Sequence, residues 1–273
     1  MNYSIIGAAI GGAKGGTKLW FNPLRLTNTG EDVATVAFTD DLSAGTVLSY
    51  RKNDKGKFTA WDLSAITLQP GEFIELCGDN IARNNFIGHF SMTGTSIAAS
   101  GTVMSLVYGV DMTAEQNTIM PYGAFGASTF KTFGLFKDCA ILTSAPELPA
   151  TTLAGSCYLG MFSGCTSLTS APGLPATTLA TSCYSSMFSG CTSLTSAPEL
   201  PATTLAGSCY MFMFSGCTEL QSVSVGFADW GSGSTDSWLD GVAAEGTFTC
   251  PAGLDTTTRD ASHVPADWTV VNA

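Results

Sequence analysis

Two patterns of apolar and polar positions divide the chain. From residue 19 to residue 90 the two kinds alternate in short runs. Val33-Ala34-Thr35-Val36-Ala37-Phe38 follows a Thr-Asn-Thr-Gly turn, Thr46–Tyr50 and Phe58–Trp61 flank Asn53-Asp54-Lys55-Gly56, and Ile66–Leu68 and Phe73–Leu76 flank Gln69-Pro70-Gly71-Glu72. Alternation of period two marks a half-buried strand, and runs this short bounded by Asn, Asp, Gly and Pro read as hairpins. Pro followed by Gly suits a type II turn. Short strands separated by turns about every ten residues predict a small β-sandwich domain over 19–90.

Beyond it the pattern becomes a repeat. Residues 142–167, 168–193 and 194–219 align without slippage at a period of 26, and the first and third agree at 23 of 26 positions. Cys139, Cys165, Cys191 and Cys217 form one column, and Cys157, Cys183 and Cys209 a second. Each unit has too little apolar surface to close a core alone, so successive units must stack and bring equivalent residues into columns. The expected columns are Leu142/Leu168/Leu194, Leu148/Leu174/Leu200, Leu153/Leu179/Leu205 and Phe136/Phe162/Phe188/Phe214. Pro146 and Pro149 with their equivalents exclude helix and shorten any strand there. The Cys-Tyr-x-x-Met-Phe-Ser-Gly-Cys stretch is expected to be a short helical turn stopped by Gly164, Gly190 and Gly216.

The Phe-Ser-Gly-Cys-Thr-Ser-Leu-Thr-Ser core and its Leu-Pro corner resemble the BspA-like leucine-rich repeats of bacterial surface proteins and some phage proteins. Ser91-Met92-Thr93-Gly94 with Ile97-Ala98-Ala99-Ser100-Gly101 resembles the lead-in to such arrays. Trp238-Leu239-Asp240-Gly241-Val242-Ala243, Gly246-Thr247-Phe248 and Pro265-Ala266-Asp267-Trp268-Thr269-Val270 resemble their closing segment. The resemblance implies a mainly β chain with a short leucine-rich-repeat solenoid and a non-catalytic adhesive or structural role. The expected organisation is an N-terminal docking arm (1–18), the β-sandwich domain (19–90), a lead-in with a degenerate half-repeat (91–140), the repeats (141–220) and a C-terminal cap (221–273).

Composition narrows the function classes. Charged residues make up 12% of the 273 residues, about half the usual share, and Thr occurs 35 times and Gly 30 times, a composition of strands and turns. The net charge of −11 is unevenly placed: residues 1–137 hold ten Lys/Arg against eleven Asp/Glu, whereas residues 138–273 hold eleven Asp/Glu and only Arg259. An acidic chain without clustered cations is no nucleic-acid binder. No apolar run approaches the roughly 18 residues of a membrane span. Ser4–Ala13 is apolar, but no Lys or Arg precedes it, so it reads as an uncleaved arm whose Tyr3, Ile5, Ile6 and Ile10 would dock on a particle.

Candidate chemistry is sparse. No Cys-x-x-Cys occurs, so the nine cysteines read as buried small hydrophobes, not a zinc site, and no cofactor or metal is expected. His89 and His263 are the only histidines and no nucleophile motif accompanies them, so no enzyme is expected. Differences between repeats are more telling. They fall at Glu147/Gly173/Glu199, at Gly155/Thr181/Gly207 and at Leu159-Gly160/Ser185-Ser186/Met211-Phe212. A core position does not exchange Gly for Phe, so the last pair is expected to be exposed or half-exposed. It adjoins Tyr158, Tyr184 and Tyr210, and together these predict an exposed aromatic stripe. The candidate binding face is therefore Tyr158, Tyr184, Tyr210, Leu159, Met211, Phe212, Glu147 and Glu199. Its expected partner is a host cell-surface glycan or protein, while the arm meets capsid or other virion proteins. A homo-oligomer, with a trimer as one form, is expected from the class. A secreted bacterial adhesin is the other address these features allow.

Overall fold

The computed structural model describes residues 22–40, 48–78, 88–108, 118 and 134–273, and the chain is mainly β. The docking arm with Tyr3, Ile5, Ile6 and Ile10, the start of the strand expected at Thr46, and Phe133 lie outside the described residues. Strands β1 (Leu24–Asn28), β2 (Ala34–Asp40), β3 (Leu48–Lys52), β4 (Lys55–Ala60), β5 (Ile66–Leu68), β6 (Phe73–Gly78), β7 (Gly88–Thr93) and β8 (Ile97–Ser100) come first, followed by the single turn of helix α1 (Ser105–Tyr108). The alternation forecast from sequence is met: Leu24, Leu26 and Asn28 of β1 and Ala34, Val36 and Phe38 of β2 are buried, while their neighbours are not. Asn53 and Asp54 both have φ near +55°, the two-residue turn whose twist suits the β3–β4 hairpin. Gly71 (φ +79°) sits where a type II turn demands a left-handed residue, and the Glu72 N–H closes that turn on the Gln69 carbonyl at 3.0 Å.

Two sheets result. One has the order β4-β3-β6-β1-β8-β9 and the other β5-β2-β7, with β9 (Leu142–Ser144) belonging to the first repeat. The boundary expected at residue 90 thus falls inside β7, and the lead-in strand β8 pairs antiparallel with β1 and parallel with β9. Thr143 Oγ1 and Ser144 Oγ donate to the Ile97 and Ala99 carbonyls at 3.1 and 3.0 Å, fastening the join. Because a strand edge with unpaired N–H and C=O groups is costly to bury, the first repeat completes the sheet instead of standing apart from it.

The repeats lie against one another in register. The Tyr158 N–H donates to the Cys183 carbonyl and Phe162 to Met187; one unit on, Tyr184 donates to Cys209 and Phe188 to Met213. Phe90 of β7 heads a column that continues through Phe136, Phe162, Phe188 and Phe214, with ring centroids 5.2–5.6 Å apart and planes within 23°. Each cysteine of the four-membered column donates its thiol to the Phe carbonyl one unit back: Cys139 to Phe90 (3.2 Å), Cys165 to Phe136 (3.0 Å), Cys191 to Phe162 (3.1 Å) and Cys217 to Phe188 (3.0 Å). All nine cysteines are free. Burial pushes the Cys139 and Cys217 thiols up to about 12, so they serve as packing and as donors, not as nucleophiles. The Leu142, Leu148 and Phe columns are buried, and the Leu153 column is half-buried.

The expected helical turn is not a helix. Over residues 154–165 the N–H groups of Cys157, Leu159, Met161, Ser163 and Cys165 each reach the carbonyl three residues back, while those of Ser156, Tyr158, Gly160, Phe162 and Gly164 reach the next unit. A left-handed residue recurs every fourth position: Ser156, Gly160 and Gly164 in the first unit, Ser182, Ser186 and Gly190 in the second, and Ser208, Phe212 and Gly216 in the third. Overlapping β-turns with half their donors turned outward are what this alternation builds, and it precludes the i→i−4 bonds of a helix.

Closure follows at the C-terminal end, where β10 (Ser222–Ser224), β11 (Thr247–Cys250) and β12 (Thr269–Asn272) form a parallel sheet. Trp238 takes the place of the next column aromatic, 6.3 Å from Phe214 and 6.1 Å from Tyr210. The indole N–H groups of Trp230, Trp238 and Trp268 donate to the Asp255, His263 and Ala243 carbonyls, and Arg259 donates to the Trp268 carbonyl at 3.0 Å. Buried residues from Leu24 to Trp268 form one core. Removing a middle ring should be felt throughout it: Phe188→Ala is expected to cost about 3–5 kcal/mol, from lost transfer energy plus the cavity. Urea unfolding of wild type and variant checks this.

Candidate functional site

The tyrosine stripe is not at the surface. Tyr158, Tyr184 and Tyr210 are each 1% exposed, stacked at 5.8 and 6.1 Å with planes within 8° of parallel. In the turn ribbon Cys157, Tyr158, Met161, Phe162 and Cys165 are all buried while Leu159 and Ser163 are half-buried, so the tyrosines form a second core column beside the phenylalanines. Burial raises the Tyr184 phenol well above its ordinary range, and among the described residues its hydroxyl has no hydrogen-bond partner. These rings cannot meet a ligand without opening the core.

The variable pair beside them behaves differently in each unit. Leu159 and Met211 are half-buried, whereas Ser185 is buried with its hydroxyl donating to the Met211 carbonyl at 3.1 Å. Gly160 is buried, Ser186 half-buried and Phe212 41% exposed. The forecast of exposed or half-exposed residues therefore fails at Ser185 and Gly160 and is met at Leu159, Ser186, Met211 and Phe212. All three members of the latter position have φ between +54° and +61°, where a side chain with Cβ is strained by roughly 1–2 kcal/mol and glycine is not. Gly160 is the residue the backbone prefers. Phe212 is the largest departure from that preference and one of three large apolar side chains exposed among the described residues.

A second variable face carries Glu147 and Glu199. Both are exposed, with exposed Gly173 between them, and they line an open groove of about 600 Å³ whose floor and walls are Leu148, Leu174 and the prolines of the Leu-Pro corners. Two units of stacking at roughly 4.8 Å each place the carboxylates about 10 Å apart. Neither makes an ion pair among the described residues, and each faces open solvent, so the pair offers negative charge over an apolar floor.

Sequence reading missed a cluster on the first sheet. Glu75 of β6 is only 3% exposed, yet it is charged. Its register neighbours on both sides are cations, Arg25 of β1 and Arg51 of β3. Arg25 reaches Glu75 Oε1 at 2.7 Å and Arg51 reaches Oε2 at 2.5 Å; Arg25 also lies 4.0 Å over the Phe73 ring and Arg51 4.9 Å over Phe58. Burial alone would raise the Glu75 carboxyl, but the hydrogen bonds and charges of Arg25 and Arg51 outweigh it and hold the group below its ordinary value. Both carboxylate oxygens of Glu75 are engaged, and Asp54 lies against both guanidinium groups at 3.3 and 3.5 Å, which makes the cluster a lock between three strands. The same hairpin carries the exposed Lys55 and Lys57.

No group of three or more His, Cys, Asp or Glu able to hold a metal occurs among the described residues. Among them, too, no helix is long and apolar enough to cross a membrane. Comparison with protein-family models, curated protein sequences and solved structures gives no match.

Two outcomes follow from the local physics. Ser186→Gly should be more stable than Ser186→Ala by about 1 kcal/mol, because the position is left-handed and only glycine occupies it without strain; paired urea curves measure the difference. Glu75→Gln should lose roughly 1–3 kcal/mol at pH 7, the worth of charged hydrogen bonds. Because the folded carboxyl titrates below the unfolded one, that contribution is complete above about pH 4.3 and fades as pH falls further. The stability gap between wild type and variant should therefore close on acidification.

Proposed function

We propose that this chain is a non-enzymatic surface protein of a phage particle, a head fibre or tail-associated adhesin, built as a small β-sandwich followed by a short BspA-like leucine-rich-repeat solenoid. The reading rests on Phe212. At a backbone position that favours glycine, and where the first unit has Gly160, the third unit holds an exposed phenylalanine next to the half-buried Met211. Strained residues retained where the scaffold does not ask for them mark contact sites, and an exposed aromatic beside a methionine is suited to a glycan face or an apolar protein surface. Around it the repeats agree along the leucine, cysteine, tyrosine and phenylalanine columns, and Glu147, Gly173, Glu199 and Phe212 are variable positions that face solvent, as in a scaffold that displays variable residues. The Gly-rich N-terminal arm docks on the particle in this reading, and the repeats face the host.

Met211-Phe212 can be replaced by Ser-Ser, the pair that the second unit carries at Ser185-Ser186. Binding of the purified full chain to host cells should fall tenfold or more, about 1.4 kcal/mol or greater, with the circular dichroism unchanged. Undiminished binding by the folded variant would remove the role given to Phe212. Mass spectrometry of gradient-purified particles and of bacterial envelopes decides the address: the peptide Met1–Lys14 is expected intact in particles, whereas recovery from envelopes alone makes the protein a cell-surface adhesin.

A further inference from the structure

One hairpin of the first sheet carries exposed cations, and one groove on the repeats carries exposed carboxylates. At the edge of the six-stranded sheet the β3–β4 hairpin projects through its two-residue turn at Asn53-Asp54. Arg51 is engaged by Glu75 and Lys52 by Glu72, but Lys55 and Lys57 are exposed and make no ion pair among the described residues. They flank the left-handed Gly56 and border the same open surface as Tyr50, Lys52 and Thr59. On the repeats, Glu147 and Glu199 stand about 10 Å apart over a groove floored by leucine and proline. The only cation of residues 138–273, Arg259, is occupied by the Trp268 and Pro265 carbonyls, so nothing within the repeat half neutralises them.

We propose that the Leu-Pro groove receives the β3–β4 hairpin of a second copy of this chain, with Lys55 and Lys57 of one protomer set against Glu147 and Glu199 of its neighbour. The flexible lysyl stems adjust to the spacing of the carboxylates, and Gly173 leaves room between them, since a Cβ built there meets nothing within 4 Å. The surfaces joined are different ones on each copy, so the contact is head-to-tail and propagates from protomer to protomer, closing as a ring or continuing as a row. A hairpin edge in a groove of this size is a small interface held by exposed charges, so the association is weak and salt-sensitive. It is independent of the adhesive role given to Phe212, which lies at a different variable position.

Sedimentation velocity of the full chain tests the proposal. At about 0.01 M salt, where the screening length is ~30 Å, the weight-average mass should rise with protein concentration; at about 1 M, where it is ~3 Å, that rise should vanish. Lys55→Glu/Lys57→Glu and Glu147→Lys/Glu199→Lys should each abolish the salt-sensitive step, and the chain carrying all four substitutions should regain it, because the charges are exchanged and not removed. All four positions are exposed, so folding is not at stake, and circular dichroism verifies it. The proposal is overturned by a wild type whose mass does not depend on salt, by association that survives either charge reversal, or by a fourfold variant that stays dissociated. Loss of cell binding in the Met211-Phe212 variant with self-association intact would separate the two surfaces.

Discussion

Everything in the repeat region depends on register between neighbouring units. A unit of 26 residues has no closed core, and half the N–H groups of its turn ribbon point away from it. Both deficits are met only when the next unit lies one period on, so that Tyr158 finds Cys183 and Phe162 finds Met187 while the rings of Phe162 and Phe188 come to 5.6 Å. A slip of one residue would break these hydrogen bonds and take both aromatic columns out of stack at once. The cysteine thiols add to this, because each satisfies a Phe carbonyl of the preceding unit, and a larger side chain would not fit between buried rings.

Such a stack needs its ends finished, and the chain finishes them by different means. At the N-terminal end the β-domain supplies Phe90 as the first ring, and β8 supplies the edge on which β9 pairs. At the other end the bulk of Trp238 covers the last phenylalanine and tyrosine, and Arg259 donates to the Trp268 carbonyl. The ends therefore carry most of the sequence that departs from the repeat, while the middle is free to repeat almost without change. Surface properties come from the few positions that vary and from the separation of charge: cations on the hairpin of the first sheet, carboxylates without partners on the repeats.

The sequence by itself determined a good deal. The period of 26, the leucine and phenylalanine columns, the buried thiols, the strands around 33–38, 66–68 and 73–76 and a hairpin loop within 53–56 were all legible, because each follows from local alternation or from a repeat that must superpose on itself. What it could not reveal is direction and partnership. Tyr158 recurs at the same period whether it points in or out, and its variable neighbours suggested outward. The inward answer comes from a turn ribbon with left-handed serines at Ser156, Ser182 and Ser208, which no glycine marks. Nothing local marks Glu75 as buried; strands 50 and 24 positions away bring Arg25 and Arg51 beside it. Likewise the union of β8 with β9 joins segments about 45 residues apart. Local patterns report what one stretch of backbone prefers; which groups are left to satisfy one another is settled only when distant stretches meet, because a buried charge or an unpaired N–H is costly until its partner arrives.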